Sequence, residues 1–304
     1  MSGLKTNLIN GYRLATTPIR QFNLWRMKKT GTVPISILFY HRVDNESPNP
    51  WTISESGFVE QINWFQKNFD LVSLEECQRR IQSGFNDRPT LSITFDDGYA
   101  DNSTFAIPML IERKIPFTYF VTTYHTKFGQ PFPHDVDLGK PLAPNSIETL
   151  KSMADAGIEI GGHTRTHADL GQLSDPTELY DEVIEATREM EYLIGTDIRY
   201  FAFPFGQIEN LNPAVFHLLK KEGFQGVCSA YGGMNAVGDD PFHLQRMHGD
   251  TNFARMKNWL TFDPRIKSEK AYVFENMPVD EEVQPAQFPN VTLPMDNSMP
   301  QSVN

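Results

Sequence analysis

The chain has 304 residues, 39% hydrophobic and with 22 phenylalanines, enough apolar material for one large core or two modest ones. Its formal net charge of −11 and pI near 5.2 exclude nucleic acid as a partner and argue against adhesion to anionic membranes, since phosphate binding needs clustered Lys and Arg. The basic residues near the start (Arg13, Arg20, Arg26, Lys28, Lys29) read as too scattered to reverse that balance. No stretch reaches the roughly eighteen apolar residues of a transmembrane segment, and no secretory leader is visible in the first residues. Cys77 and Cys228 share no metal-like spacing and read as small buried apolar groups rather than a disulfide.

Taken in order, residues 1–33 lack clear periodicity and read as an N-terminal arm with one helix around Tyr12–Met27. Ile35–Tyr40 reads as a strand, and Glu55–Phe69 as a helix with Phe58, Ile62, Phe65 and Phe69 on one face. Ser73-Leu74-Glu75-Glu76 is a capping box that opens a helix to Ser83. Leu91–Phe95 is the next strand, followed by a helix near Phe105–Arg113 and the β-branched and aromatic strand Phe117–Thr122. Residues 124–145 carry Gly and Pro at intervals and read as a long loop framing a mouth. Beyond it come a helix at Ser146–Ala156, a strand at Ile158–Ile160 and a long helix over Pro176–Ile194. Tyr200–Phe203, Gly226–Ser229 and Leu244–Met247 read as the last strands, with helices near Pro213–Glu222 and Asn252–Leu260. Strands alternating with helices imply an α/β fold with parallel pairing, and seven or eight such units close most naturally into a barrel over 34–265. The Pro-, Asn- and Ser-bearing segment 266–304 reads as an extended or disordered tail.

Two segments carry the chemistry. Thr94-Phe95-Asp96-Asp97-Gly98-Tyr99 places adjacent carboxylates at the tip of a buried strand, and Gly98 lets the backbone turn. His163-Thr164-Arg165-Thr166-His167 follows another short apolar run and offers two imidazoles four positions apart. One carboxylate plus two histidines makes a three-ligand divalent-metal site with room for water, and the spare carboxylate can serve as a base. That is the equipment of a hydrolase. Zinc suits such ligands best, with cobalt, nickel or manganese able to take the same place.

These residues resemble the polysaccharide deacetylases, the family-4 carbohydrate esterases, in three pieces: 94–98, 163–167 and Phe203-Pro204-Phe205-Gly206. Leu38–Val43 looks like the first strand of exopolysaccharide-associated members. The resemblance implies a distorted (β/α) barrel of seven or eight parallel strands and hydrolysis of a carbon–nitrogen bond other than a peptide bond. N-acetyl groups would leave an amino-sugar polysaccharide or oligosaccharide as acetate. It assigns Asp97, His163 and His167 to one metal ion, Asp96 to the catalytic base, and the Phe205 backbone N–H to the oxyanion. Phe203, Pro204, Tyr99 and His41 would border the substrate. Where the family often has an arginine orienting the base, this chain has Ala202, so Arg246 is expected to reach Asp96 instead, with Arg199 the weaker candidate. His248 is the expected general acid and His41 its competitor, while His125, His134, His217 and His243 read as ordinary loop or surface residues. Two alternatives stand beside this reading: a cyclic amide or imide hydrolase on the same barrel, and a non-catalytic carbohydrate-binding relative. The expected location is cytoplasmic, with peripheral association with an exopolysaccharide assembly left open, as is the oligomeric state.

Overall fold

A computed structural model of the chain describes residues 3–249 and 251–263; the expected tail, 266–304, lies outside them. Nine strands form the main sheet, eight of them in one row: β1 (Ile35–Tyr40), β2 (Thr90–Phe95), β3 (Phe117–Val121), β4 (Glu159–Gly162), β5 (Tyr200–Ala202), β6 (Gly226–Cys228), β7 (His243–Leu244) and β8 (Met247–His248), while the short strand Asp70–Leu71 pairs with β2 beside the row. The eight lie in the order β7-β6-β5-β4-β3-β2-β1-β8, every pair parallel. Parallel sheets are covered on both faces, which is why β1 and β2 are buried at every position and read as continuous apolar or small runs. The curled sheet with its surrounding helices is a distorted (β/α) barrel.

The barrel closes through one broken strand. The sequence pattern reads a single strand at Leu244–Met247, but the ladder splits there: His243–Leu244 pairs with β6 and Met247–His248 pairs with β1. Gln245 and Arg246 span the seam. Asn235 stitches it, donating from Nδ2 to the Gln245 carbonyl at 2.9 Å and accepting from the Gln245 amide at 2.8 Å. The backbone of the same asparagine exchanges both hydrogen bonds with Ile35 of β1, at 2.8 and 2.9 Å.

Alternation along the strands sorts residues into inside and outside. Ile35 and Ile37 join Phe120, Tyr200, Ala202, Cys228 and Leu244, from strands that are not all neighbours and meet in the barrel interior. Leu74, Cys77 and Ile81 of the helix Leu74–Ser83 belong to the same cluster and plug one end. Both cysteines are free and buried there, and burial pushes the Cys228 thiol up to about 12. On the outer face Leu38, Tyr40, Leu91, Ile93 and Phe95 pack with Phe58, Ile62 and Phe65 of the helix Glu55–Asn68. On β2 the inward positions are Ser92 and Thr94, and the next step inward is Asp96.

The N-terminal segment departs from the sequence reading in extent. The helix expected around Tyr12–Met27 runs from Gly3 to Thr30 and takes up nearly the whole arm. Its periodicity is weak because polar residues share the face turned to the barrel with Ile9, Leu24 and Met27, while other apolar residues face outward. The Tyr12 hydroxyl donates to Asp263 Oδ1 at 2.9 Å, and Arg20, buried, donates to the Asn258 carbonyl at 2.8 Å and to Asn258 Oδ1 at 2.6 Å on the helix Phe253–Leu260. No helix among the described residues is long and apolar enough to cross a membrane.

Arg20 is therefore the anchor of the N-terminal helix. Arg20→Ala leaves two buried Asn258 acceptors without their charged donor and should cost about 2–4 kcal/mol. A urea titration reads this as a lower midpoint; a loss no larger than that of exposed Lys28→Ala would contradict the assignment.

Candidate active site

Asp96 and Asp97 leave β2 in different directions. Asp96 continues the inward alternation, while Asp97 takes a left-handed φ of 71° and turns toward the end of β4. Gly98 follows at φ 83°, where a Cβ would also crowd Val121 Cγ1 at 3.1 Å, so the turn needs glycine. Asp97 Oδ1 then lies 3.4 Å from His163 Nε2 and 3.2 Å from His167 Nε2. One ligand atom from each of the three residues lies within 4.8 Å of the others.

The donor set fits a divalent cation. Asp97 Oδ1 is buried with no hydrogen-bond donor among the described residues. His163 Nδ1 lies 2.7 Å from the Ala202 carbonyl, which can only accept, so Nδ1 carries the proton and Nε2 keeps its lone pair toward Asp97.

Glu182 supplies a support that sequence reasoning missed. The long helix expected over Pro176–Ile194 contains a π-helical turn at Asp181–Glu185. From that turn Glu182 accepts from the amides of Arg165 and Thr166, each at 3.0 Å, and from the Thr166 hydroxyl at 2.7 Å. Three charge-assisted bonds thus hold the loop in which Thr164 and His167 adopt φ of 62° and 64°. A single acid in a helical pattern gives no sign of this in the sequence.

Arg246 lies inside the barrel, fully buried. Its Nη1 donates to Asp96 Oδ1 at 2.7 Å and its Nη2 to Asp96 Oδ2 at 2.9 Å, a bidentate pair. Nη1 also donates to Thr94 Oγ1 at 3.0 Å, and Nε to the Ser229 carbonyl at 3.0 Å. The rings of Phe39 and Phe120 lie 5.0 and 5.2 Å from the guanidinium carbon. Arg246 is thus a residue of the core and not of the rim. Arg199 sits on Glu159 at the start of β4, at the opposite end of the strands.

A cavity of about 360 Å³ opens above these groups, lined by Asp96, Asp97, His163, His167, His41, Phe203 and Phe205, and also by Phe39, Trp51, His134 and Ala230. Phe205 has a left-handed φ of 61°, and its exposed ring stands 5.0 Å from that of His167. Gly206 follows at φ 62°, where a Cβ would meet the Ala230 nitrogen at 2.7 Å. His248 stands beside the cavity, its ring 5.8 Å from His41 and 5.1 Å from Phe39. Burial lowers the His41 imidazole against the pull of Asp97 and Asp96.

Two expected border residues do not line the cavity. Pro204 is buried behind the wall, and Tyr99 is a fully buried support whose hydroxyl donates to Asp135 Oδ2 at 2.7 Å. Conversely His134, read as an ordinary loop residue, faces the cavity, its Nε2 3.1 Å from the Tyr99 hydroxyl and its ring 5.9 Å from His167. It rides on the short helix Pro133–Asp137, within the segment read as a long loop framing the mouth. Trp51 reaches the cavity from the loop that buried Arg42 holds by donating to Asp101 Oδ2 at 2.6 Å and to the Ser47 carbonyl at 2.7 Å. Burial, against the pull of Arg42, raises Asp101 to about 6.

The polysaccharide deacetylase family profile matches residues 84–227, a span that contains both motifs and the Phe203–Gly206 turn. YxkH of Bacillus subtilis, a protein classed with the polysaccharide deacetylases, is 25% identical over 193 residues, covering 63% of this chain and 62% of its own. The chitooligosaccharide deacetylase of Rhizobium leguminosarum bv. phaseoli is 30% identical over 105 residues, 34% of this chain and 38% of that enzyme. The chain thus spans less than two thirds of either curated relative. In fold, the Streptococcus pyogenes deacetylase PplD superposes with a TM-score of 0.63 at 21% identity, covering 76% of this chain and 99% of that one. Residues 84–227 thus carry the match to the polysaccharide deacetylases, and the likeness to PplD is one of fold.

Proposed function

We propose that the protein is a metal-dependent hydrolase that removes N-acetyl groups from an amino-sugar polysaccharide or oligosaccharide and releases acetate. The observation that carries this reading is the Asp97, His163 and His167 cluster beside a second carboxylate held rigid by Arg246, all facing one cavity. The family match over residues 84–227 supports the class of reaction, and the chitooligosaccharide substrate of the Rhizobium relative supports the class of sugar. The native ion is taken to be zinc.

Asp97 Oδ1 and the two Nε2 atoms would hold the ion, which when bound supplies a Lewis acid for the attacking water and the amide carbonyl. Asp96 accepts the proton of that water, its carboxylate fixed in plane by the Arg246 fork so that no rotamer search precedes transfer. The Phe205 N–H donates to the oxyanion as the carbonyl carbon becomes tetrahedral. A proton for the departing amine comes from His248 or His41. His41 lines the cavity directly, and His248 stands one ring behind it. Phe205 and Trp51 form apolar walls that limit water around the acetyl group.

Three outcomes test this. Protein equilibrated with zinc and then desalted should retain one equivalent, and His163→Ala should lose it; equal metal in both would sink the proposed site. Asp96→Asn should keep its metal while acetate release from N-acetylated chitooligosaccharide falls by a factor on the order of 10² to 10⁴. Retention of most activity would remove Asp96 from the base role. Arg246→Ala should lower activity and also cost about 3–5 kcal/mol of folding stability, because it strands a buried carboxylate. Arg199→Ala, at a half-buried ion pair on the solvent side of the strands, should cost only about 1 kcal/mol; similar losses in the two variants would contradict the buried pairing.

A further inference from the structure

The N-terminal helix turns a mixed side to the barrel, where Ile9, Leu24 and Met27 are half-buried beside polar groups, and an apolar side outward. Its barrel-facing side carries Tyr12 and Arg20, joined to the helix Phe253–Leu260 and its flank by hydrogen bonds, with Thr16 accepting from Arg20 between them. Its outer side carries Leu8, Leu14, Ile19, Phe22 and Trp25, each at least half exposed. These positions recur at the spacings that place side chains on one helical face. Phe22 and Trp25 stack with ring centroids 6.0 Å apart. Phe85, also more than half exposed, approaches Gly31 and extends the apolar strip past the end of the helix. A face of this extent and composition normally marks an interaction surface.

Charge names the partner. In a chain of net charge −11, no Asp or Glu precedes Asp44. Lys5, Arg26, Lys28 and Lys29 are exposed around the apolar face. Lys28 and Lys29 in the last turn complement the helix dipole, but Lys5 in the first turn opposes it, so dipole stabilisation does not account for the set. A second copy docked through this face would bring cations against cations with no acid between them. We infer that the helix Gly3–Thr30 is an interfacial anchor that lays its Leu8–Trp25 face on an anionic lipid surface, with the basic residues against the headgroups. The helix cannot span a bilayer, so the attachment is peripheral. The acidic balance of the whole chain hid this, since this helix carries six of the 27 Lys and Arg and none of the acids.

Sedimentation of the full chain with vesicles tests the anchor. The chain should pellet with vesicles of equal parts phosphatidylcholine and phosphatidylglycerol and stay largely free with phosphatidylcholine alone. Phe22→Ser with Trp25→Ser should weaken that binding roughly tenfold or more. Lys28→Glu with Lys29→Glu should weaken it similarly, as should raised salt. Both variants alter exposed positions, and an unchanged melting temperature certifies that the barrel is intact. Failure of the wild type to pellet with anionic vesicles would overturn the proposal, as would equal pelleting with both vesicle types. So would a stable dimer, seen by analytical ultracentrifugation, that Trp25→Ser dissolves without any vesicle binding.

Discussion

The buried fork between Arg246 and Asp96 is the interaction on which the site and the barrel both depend. Two charges removed from water are costly unless geometry and further hydrogen bonds compensate them. Here two charge-assisted bonds, Thr94 Oγ1, the Ser229 carbonyl and two aromatic faces surround the guanidinium. Arg246 also lies in the seam where the closing strand leaves β6 and joins β1. One residue therefore ties closure of the barrel to the orientation of the proposed base. The break in the strand is the price of bringing that side chain inward.

A second constraint is backbone strain at the mouth. Among the described residues, six other than glycine have positive φ, and four of these, Asp97, Thr164, His167 and Phe205, stand at the cavity or on its histidine loop. Left-handed conformations are unfavourable for side-chain-bearing residues and persist only where surrounding contacts over-determine them. Glu182 does this for the histidine loop through its π-helical turn, and the Gly206–Ala230 contact does it for the Phe205 turn. The strain turns the Asp97 carboxylate, the His167 imidazole and the Phe205 ring from separate strand ends toward one cavity.

The N-terminal helix shows how a bulk property can mislead. Net charge is a sum over the surface, whereas adhesion depends on where charges and apolar groups are gathered. With Arg20 and Tyr12 spent on the barrel, Leu8, Leu14, Ile19, Phe22 and Trp25 of that helix are left facing outward. A mixed inner face and an apolar outer one also obscure the usual rule that an amphipathic helix buries its greasy side.

Much was legible in order along the chain. Parallel strands announce themselves as short apolar runs between helices, so β1, β2 and β3 and the helices Glu55–Asn68 and Leu74–Ser83 follow from periodicity and capping alone. The carboxylates and histidines were legible because chemistry of that kind needs fixed residue types beside strand ends. Glu182, His134 and Trp51 were not, because each is brought to its place by contacts distant in sequence: a π-helical turn, a Tyr99 hydroxyl, and a loop pinned by Arg42. Tyr99 and Pro204 sit next to motif residues in the chain yet turn away from the cavity, since neighbours along a backbone need not share a face. Local pattern determined which elements form and which groups can react. Tertiary packing alone decided which of those groups meet, because burial, strand closure and the direction of a side chain are set by residues far apart in the sequence.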